Sequence, residues 1–522
     1  MQSRWLTTRR RVLALIIIVF GMPLLLAAIV LLYFWRFSPL NREWVVATLE
    51  KRYQCEVELK SFTASFFPVL TIAGEGLILK HQERPGLPPL AIISKFSATG
   101  NWLGLLRHPR HFGHLRLEGM VIVVPPRSRQ AQAGKQQRQQ QQQVSPFVLD
   151  EVSADDAVLN ILSANANKSP HVFEIHKLRM QSAGLAQPMS FQVTLTNPIP
   201  VGQIQSKGQF GPWNSVDPSL TPVSGSYSFS DADLSTIRGL GGILSSRGNY
   251  EGVLSEIHVR GETDTPDFDV GISGNKVHLK TQFSAVVDGV SGDTLLQPVD
   301  AQLLGSKIVA RGRVAQVAGG NGMSILLDVT AQPARLEDLL RLAVKSSAPS
   351  MTGALSVHTK FDLNPGEEAI TKRLKLDGSF NVQSAQFTDP ETEAKITNFS
   401  RRGQGKPRDE DIQSVRFDLQ GHFVLANSQA TFSSLSFSLP GASLQLQGAF
   451  GLISQALDFN GTLRLQAKVS QTTTGIKSLL LKPIDPLFER EGAGTVLPIK
   501  ITGTREEPSF QVEIGKALKR ED

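Results

Sequence analysis

A single cysteine, Cys55, stands among 522 residues, so no disulfide can form within the chain and its folded body must be held by packing and hydrogen bonds. A lone thiol two residues past Tyr53 reads as a small core residue. No G-x-S-x-G elbow, Walker loop, Cys-x-x-Cys pair or His-Glu-x-x-His is present. The glycine-rich pieces Gly239–Gly242 and Gly492–Gly494 lack a strand-to-helix frame and read as turns. Neither a cofactor nor catalysis is expected. Aromatics are only 7% of the chain and no basic stripe interleaves them, so nucleic acid is not expected as a partner. Acids are absent from residues 1–36, which carry five arginines, and from 127–138, which carry Arg127, Arg129, Lys135 and Arg138. Those two stretches account for the net charge of +7, and the rest is close to neutral.

What is present begins with one long apolar run. Val12 to Trp35 holds no charge, and roughly 20 apolar residues suffice to span a bilayer core. Tyr33 and Trp35 stand where interfacial aromatics anchor a span, and Arg9, Arg10 and Arg11 before it predict a cytoplasmic N-terminus. Everything from Phe37 onward is then exported. The run is longer than a signal-peptide core and no Ala-x-Ala site follows it.

The body is dominated by a recurring phrase, apolar-x-apolar-x-Gly. It occurs as Leu70–Gly74, Leu115–Gly119, Ile257–Gly261, Leu374–Gly378, Phe417–Gly421, Leu444–Gly448, Leu457–Gly461 and Ile499–Gly503, with looser copies at Ile204–Gly208 and Ile308–Gly312. Side chains alternate along a strand, so each copy is a strand with one apolar face, one wet face and a glycine on the apolar side. The clearest stretch has Leu435, Phe437 and Leu439 alternating with serines, a turn at Pro440-Gly441, then Leu444, Leu446, Gly448 and Phe450, which predicts a hairpin. Period two then runs from Leu457 to Val469, longer than an average strand. The expected fold is mainly β: a long twisted antiparallel sheet of about 25 to 30 strands with few short helices.

Amphipathic helices are expected at Pro39–Tyr53 and Pro333–Ser346, with shorter ones at Gly475–Leu481 and Asp485–Glu489. Gln136 to Gln143 lies in a polar tract that cannot bury enough surface to order itself. The expected segments are 1–36 (cytoplasmic N-terminus and anchor), 37–126 (helix plus strands), 127–146 (Gln-rich insertion), 147–330 (middle β segment) and 331–522 (C-terminal β segment). His108, His111 and His114 are spaced as a weak metal candidate, but Arg107, Arg110 and Arg116 would repel a cation, so no metal is expected. A basic loop meeting headgroups or solvent is the plainer reading. The acid pairs at Asp155, Glu367, Asp409 and Glu506 read as solvated turns.

These features together resemble the AsmA-like family of inner-membrane-anchored envelope proteins. The resemblance runs through the N-terminal span, the segment Phe66-Phe67-Pro68-Val-Leu-Thr-Ile, and Trp102–Leu106 ahead of Leu115–Gly119. It continues in Leu435–Phe450 and closes with Leu497–Gly503 and Pro508–Phe510. It implies a taco-like repeating β-groove with an apolar inner wall, a periplasmic body anchored in the inner membrane through residues 12–35, and a place in outer-membrane biogenesis through phospholipid movement. The Gln-rich insertion departs from the family pattern.

The expected function is binding or passive transfer of membrane phospholipid along the groove. The expected wall residues are Leu435, Phe437, Leu444, Leu446, Phe459, Leu463 and Leu465. The alternative is a non-enzymatic scaffold for envelope protein partners, with the sheet packed on itself. A hydrolase would need a polar cluster inside a pocket.

Overall fold

A computed structural model describes residues 42–53, 55–65, 69–81, 88–100, 110–124, 147–162, 170–183, 188–212, 214, 217–237, 239–271, 274–289, 291–317, 322–345, 348–366, 368–408, 414–472 and 494–512. The expected span at 12–35, the Gln-rich insertion, Phe66–Pro68, Trp102–Leu106, His108 and the two short helices after Gly475 lie outside them. Among the described residues no helix is long and apolar enough to cross a membrane. The chain divides into two compact units, Met1–Pro125 with Pro146–Leu162, and Pro126–Ser145 with Ser163–Asp522.

The first unit opens with helix α1 (Arg42–Tyr53), the helix expected from 39–53. Strands β1 (Cys55–Ser65), β2 (Leu70–His81), β3 (Ala91–Gly100), β4 (Arg110–Val124) and β5 (Phe147–Ile161) follow. The alternation in β1 buries Cys55, Val57 and Leu59, while Glu56 and Glu58 stay exposed. Helix α1 is tied to this strand, Arg42 Nε donating to the Leu59 carbonyl at 2.8 Å. Neighbours β1 to β4 pair antiparallel, but β4 and β5 are parallel. Parallel neighbours need a long return connection. The 15-residue β4 is roughly 50 Å long, and residues 125–146 reach about 70 Å when extended, so the Gln-rich insertion has the length to carry the chain back. Phe147–Ile161, assigned from sequence to the middle segment, therefore belongs with the first unit.

The second unit contains β6 (His171–Ala183), β7 (Met189–Pro198), β8 (Val201–Phe210), β9 (Pro222–Asp233), β10 (Leu240–Gly241), β11 (Ile243–Val253), β12 (Glu256–Val270), β13 (Val277–Val287), β14 (Thr294–Leu303) and β15 (Ser306–Gln316). After β16 (Met323–Arg335), helix α2 (Leu336–Ala343) leads to β17 (Met351–Leu363), helix α3 (Ile370–Arg373), β18 (Leu374–Phe387) and helix α4 (Pro390–Gly403). The chain closes with β19 (Phe417–Ala426), β20 (Gln429–Leu439), β21 (Ala442–Gly451), β22 (Ala456–Leu465), β23 (Thr495–Thr504) and β24 (Pro508–Val512). Apart from the two-residue β10, which pairs with β12, each strand pairs antiparallel with its neighbour in sequence, giving a long open meander. Pairing runs unbroken through residue 330, because β16 joins β15 to β17.

Two expected boundaries shift. The strand beginning near Leu457 stops at Leu465, because the Gln466 and Ala467 amides donate to the carbonyls of Gly441 and Gly403 and draw the chain out of the ladder. Val469–Thr472 is a single 3-10 turn. Helix α2 starts three residues later than Pro333, since β16 continues to Arg335 before its backbone turns.

Helix α4 carries a good N-cap: Asp389 accepts from the Thr392 amide at 2.8 Å, and Pro390 occupies the first turn. Its Ile396 and Phe399, with Leu336 and Leu339 of α2, pack on a core of Ala331, Ala334, Leu355, Val382, Ala385, Phe417, Leu439, Ala442 and Leu465. These are the ends of strands β16 to β22, so the helices close one end of the sheet's apolar face.

Candidate functional site: the apolar face of the second unit

Cross-strand register converts the recurring phrase into rows. One row passes through Tyr227, Gly248, Gly261, Phe283, Val299, Ala310, Val329, Thr359, Gly378, Phe423, Phe432, Gly448, Phe459, Ile501 and Phe510. It crosses β9 to β24 without a charged side chain. In a closed two-layer fold the middles of the strands would be the most buried part. Here Phe283, Val299, Val329, Phe423 and Phe432 are only half-buried, Thr359, Phe459 and Ile501 of the same row are buried, and one cluster of buried residues lies at the strand ends beneath α2 and α4.

The expected wall residues divide along the same line. Leu465 is 8% exposed and belongs to the helix-covered core, with Phe437 and Leu463 packed against it. Leu435, Leu444 and Leu446 are half-buried on the uncovered stretch. Phe459 is buried beside Phe432, with ring centroids 5.9 Å apart. Register brings all seven together on adjacent strands: Leu435 faces Leu446, Phe437 faces Leu444, Leu444 faces Leu463, and Ala442 faces Leu465.

The glycines act by making room. A Cβ on Gly461 would lie 2.0 Å from the Gln445 carbonyl oxygen and 2.8 Å from Leu446 Cδ2, so the neighbouring strand and side chain occupy that space. The same device is densest on β8 to β12, where Gly208 faces Gly225 and Gly248 faces Gly261. Two tyrosines lie across these glycines. The Tyr250 hydroxyl stands 2.6 Å from where a Gly225 Cβ would be, and Tyr227 covers Gly248 and Gly261 in the same way. The Tyr250 and Ser206 hydroxyl oxygens are 2.7 Å apart, and those of Tyr227 and Ser246 are 3.1 Å apart. Burial pushes both phenols above their ordinary pKa, partly opposed by the serine hydrogen bonds, so both stay neutral at physiological pH. Sequence reasoning passed over these tyrosines because it sought apolar residues at both alternating positions. The alternation Gly225-x-Tyr227-x-Phe229 and Ser246-x-Gly248-x-Tyr250 was the available signal.

The opposite face is wet and carries cross-strand pairs such as Arg247 with Glu262, His278 with Asp264 at 2.6 Å, His358 with Asp328 at 3.0 Å and His422 with Asp377 at 3.1 Å. Exposed pairs of this kind contribute little stability and mainly keep this face hydrated. In the first unit, His114 Nε2 lies 2.8 Å from Ser153 Oγ, and its Nδ1 lies 3.5 Å from Glu151. His111 lies in β4, and His108 is outside the described residues. Among the described residues no group of three or more His, Cys, Asp or Glu is placed to hold a metal. No protein-family model, curated protein or solved structure matches this chain.

Proposed function

We propose that this chain is an AsmA-like, membrane-anchored envelope protein that binds or passively transfers phospholipid along the apolar face of the strands of its second unit. The carrying observation is the uncharged row from β9 to β24, in which Phe283, Val299, Val329, Phe423 and Phe432 are left only half-buried. A soluble sheet that leaves such a surface uncovered needs a non-protein or partner cover. Acyl chains suit it, each buried methylene contributing about 0.8 kcal/mol without any directional bond. Lipid would slide along such a wall because successive positions offer similar contacts. The anchor in this reading is residues 12–35, with the N-terminus cytoplasmic and the body in the periplasm. The role in outer-membrane biogenesis follows the family resemblance.

Photocrosslinking in cells tests this reading. A benzophenone residue at Leu446 or Leu435 is expected to capture phospholipid, and one at the wet-face neighbours Gln447 or Ser434 is not. Equal capture from both faces, or none from either, would overturn it.

A scaffold reading has one observation in its favour. Strand β24 pairs with β23 alone among the described residues, and its Phe510 and Val512 are 70% and 47% exposed. An edge of this kind can accept a partner's strand. Crosslinks from Phe510 to protein, with none to lipid from Leu446, would favour it.

A further inference from the structure

Two residues from opposite sides of the second unit's strands touch. Gly239 leads into β10, which pairs with the last residues of β12, so it stands on the side where β12 ends. That is also the side of α2, whose Arg341 and Val344 carbonyls accept from Asn275 Nδ2, between β12 and β13, at 3.0 and 2.8 Å. Ile370 opens α3, between the end of β17 and the start of β18, on the other side. In a flat sheet the five ladders from β12 to β17 and the length of the 13-residue β17 would hold them roughly 50 Å apart. Instead a Cβ on Gly239 would lie 3.8 Å from Ile370 Cβ and 3.7 Å from its Cδ1. The strands from β10 to β18 therefore coil until opposite ends meet. Arg260, Lys280, Lys307 and Asp328 of the wet face are exposed, so the apolar face is the one turned inward.

The wall of this stretch also differs chemically. Ser246 and Tyr250 on β11, Thr263 on β12 and Thr281 on β13 bring hydroxyls to the apolar face. The same face of β19, β21 and β22 carries only Leu, Phe, Ala and Gly. A headgroup drawn inside a coil loses bulk water and needs polar groups from the wall. We propose that the contact of Gly239 with Ile370 clasps β10 to β18 into a collar, through which whole phospholipid passes lengthwise while the side stays shut. This assignment rests on the reading of the apolar face as a lipid path.

The test uses the full chain, purified and transferred to an amphipathic polymer, with benzophenone at Phe283 inside the collar or at Leu446 outside it. Gly239→Cys with Ile370→Cys locks the clasp: the Cβ separation of 3.8 Å matches the usual disulfide spacing of about 3.8 Å, and Cys55 is buried away from oxidant. Ile370→Ala loosens it. Each chain is loaded from vesicles of phosphatidylethanolamine and phosphatidylglycerol and chased with vesicles of the deuterated lipids, and crosslinked lipid is counted by mass spectrometry. The locked chain should form its disulfide and still capture lipid at Phe283. Ile370→Ala should release preloaded lipid from Phe283 several-fold faster than wild type, with Leu446 unchanged, and it carries the test if the double variant fails to fold by circular dichroism. A folded double variant that forms no disulfide, loss of capture at Phe283 on locking, or unchanged release from Ile370→Ala would each overturn the collar and leave the proposed function standing. No lipid at either position in any form would overturn both.

Discussion

Placing an aspartate at Leu446 and, separately, at Leu355 measures whether the middle of the apolar face is covered by protein. Both leucines point to the same face of the strands of the second unit, yet Leu355 is 6% exposed beneath the helices and Leu446 is half-buried at mid-strand. Fully burying a leucine is worth about 1.5–3 kcal/mol, of which about two thirds or more is lost at position 446. With the weaker strand preference of aspartate, worth up to about 1 kcal/mol, the expected cost at Leu446 is about 1–3.5 kcal/mol. Its carboxylate keeps access to water and needs no partner. At Leu355, removing the side chain alone costs about 2–5 kcal/mol, and stranding a charge in that core adds several more. The assay is urea unfolding of the full-length, lipid-free chain followed by circular dichroism, with the variants compared at equal slope. A small midpoint shift for Leu446→Asp and collapse for Leu355→Asp are expected. Equal, severe losses would mean that the mid-strand face is closed in the folded chain, and the open-wall reasoning would fail.

Gly461→Val should cost about 1–3 kcal/mol, because its branched side chain meets the Gln445 carbonyl and Leu446; a urea midpoint unchanged from wild type would refute the space-making role. Asp338 is 4% exposed and accepts from the Gly305 amide at 3.0 Å and Ser306 Oγ at 2.8 Å. Asp338→Ala should strand those donors at a cost of about 1–3 kcal/mol, and faster hydrogen exchange in 336–343 is the expected readout. Asp389, held below its ordinary pKa by the Thr392 hydroxyl and amide, should cap α4 fully at and above the usual carboxylate range. Its folded pKa is depressed, so the cap's contribution is lost only as pH falls below 3.8 through that lowered value. Protection factors in 390–403, taken relative to the intrinsic exchange rate at each pH, that are flat from pH 7 to 5 and fall below pH 4 would bear this out; a fall centred near pH 6 would not. Cys55 is 1% exposed, and burial with the nearby Glu50 charge pushes its thiol up. Maleimide should label it slowly in the native chain and fast in urea, and equal rates would contradict the burial.

Much of the architecture was legible because a strand's period of two is written into consecutive residues. The hairpin around Pro440-Gly441 appears as β20 and β21, with Gly441 at φ +89°, a conformation glycine adopts at no steric cost. Cys55 proved a core residue for the same local reason, standing at the head of the alternation that continues through Val57 and Leu59. The end of β22 was not legible. Nothing in Leu465-Gln-Ala-Lys-Val469 stops the alternation; amide bonds to Gly403 and Gly441 from distant segments do. The parallel pairing of β4 with β5 was hidden likewise, since direction of pairing depends on where an insertion returns the chain.

The candidate face shows the same division. Alternation alone placed Leu435, Phe437, Leu444, Leu446, Phe459, Leu463 and Leu465 on one side, a local consequence of strand geometry. Only the packing of α2 and α4 separated Leu465, sealed in a core with Phe437 and Leu463 against it, from Leu435, Leu444 and Leu446, left on the uncovered stretch. Only register set Tyr250 across Gly225 and carried its hydroxyl to Ser206, 44 positions away in the chain. Which way a side chain points is decided by its own strand, so the sequence states it; what that side chain meets is decided by strands and helices far along the chain, so it exists only once they pack.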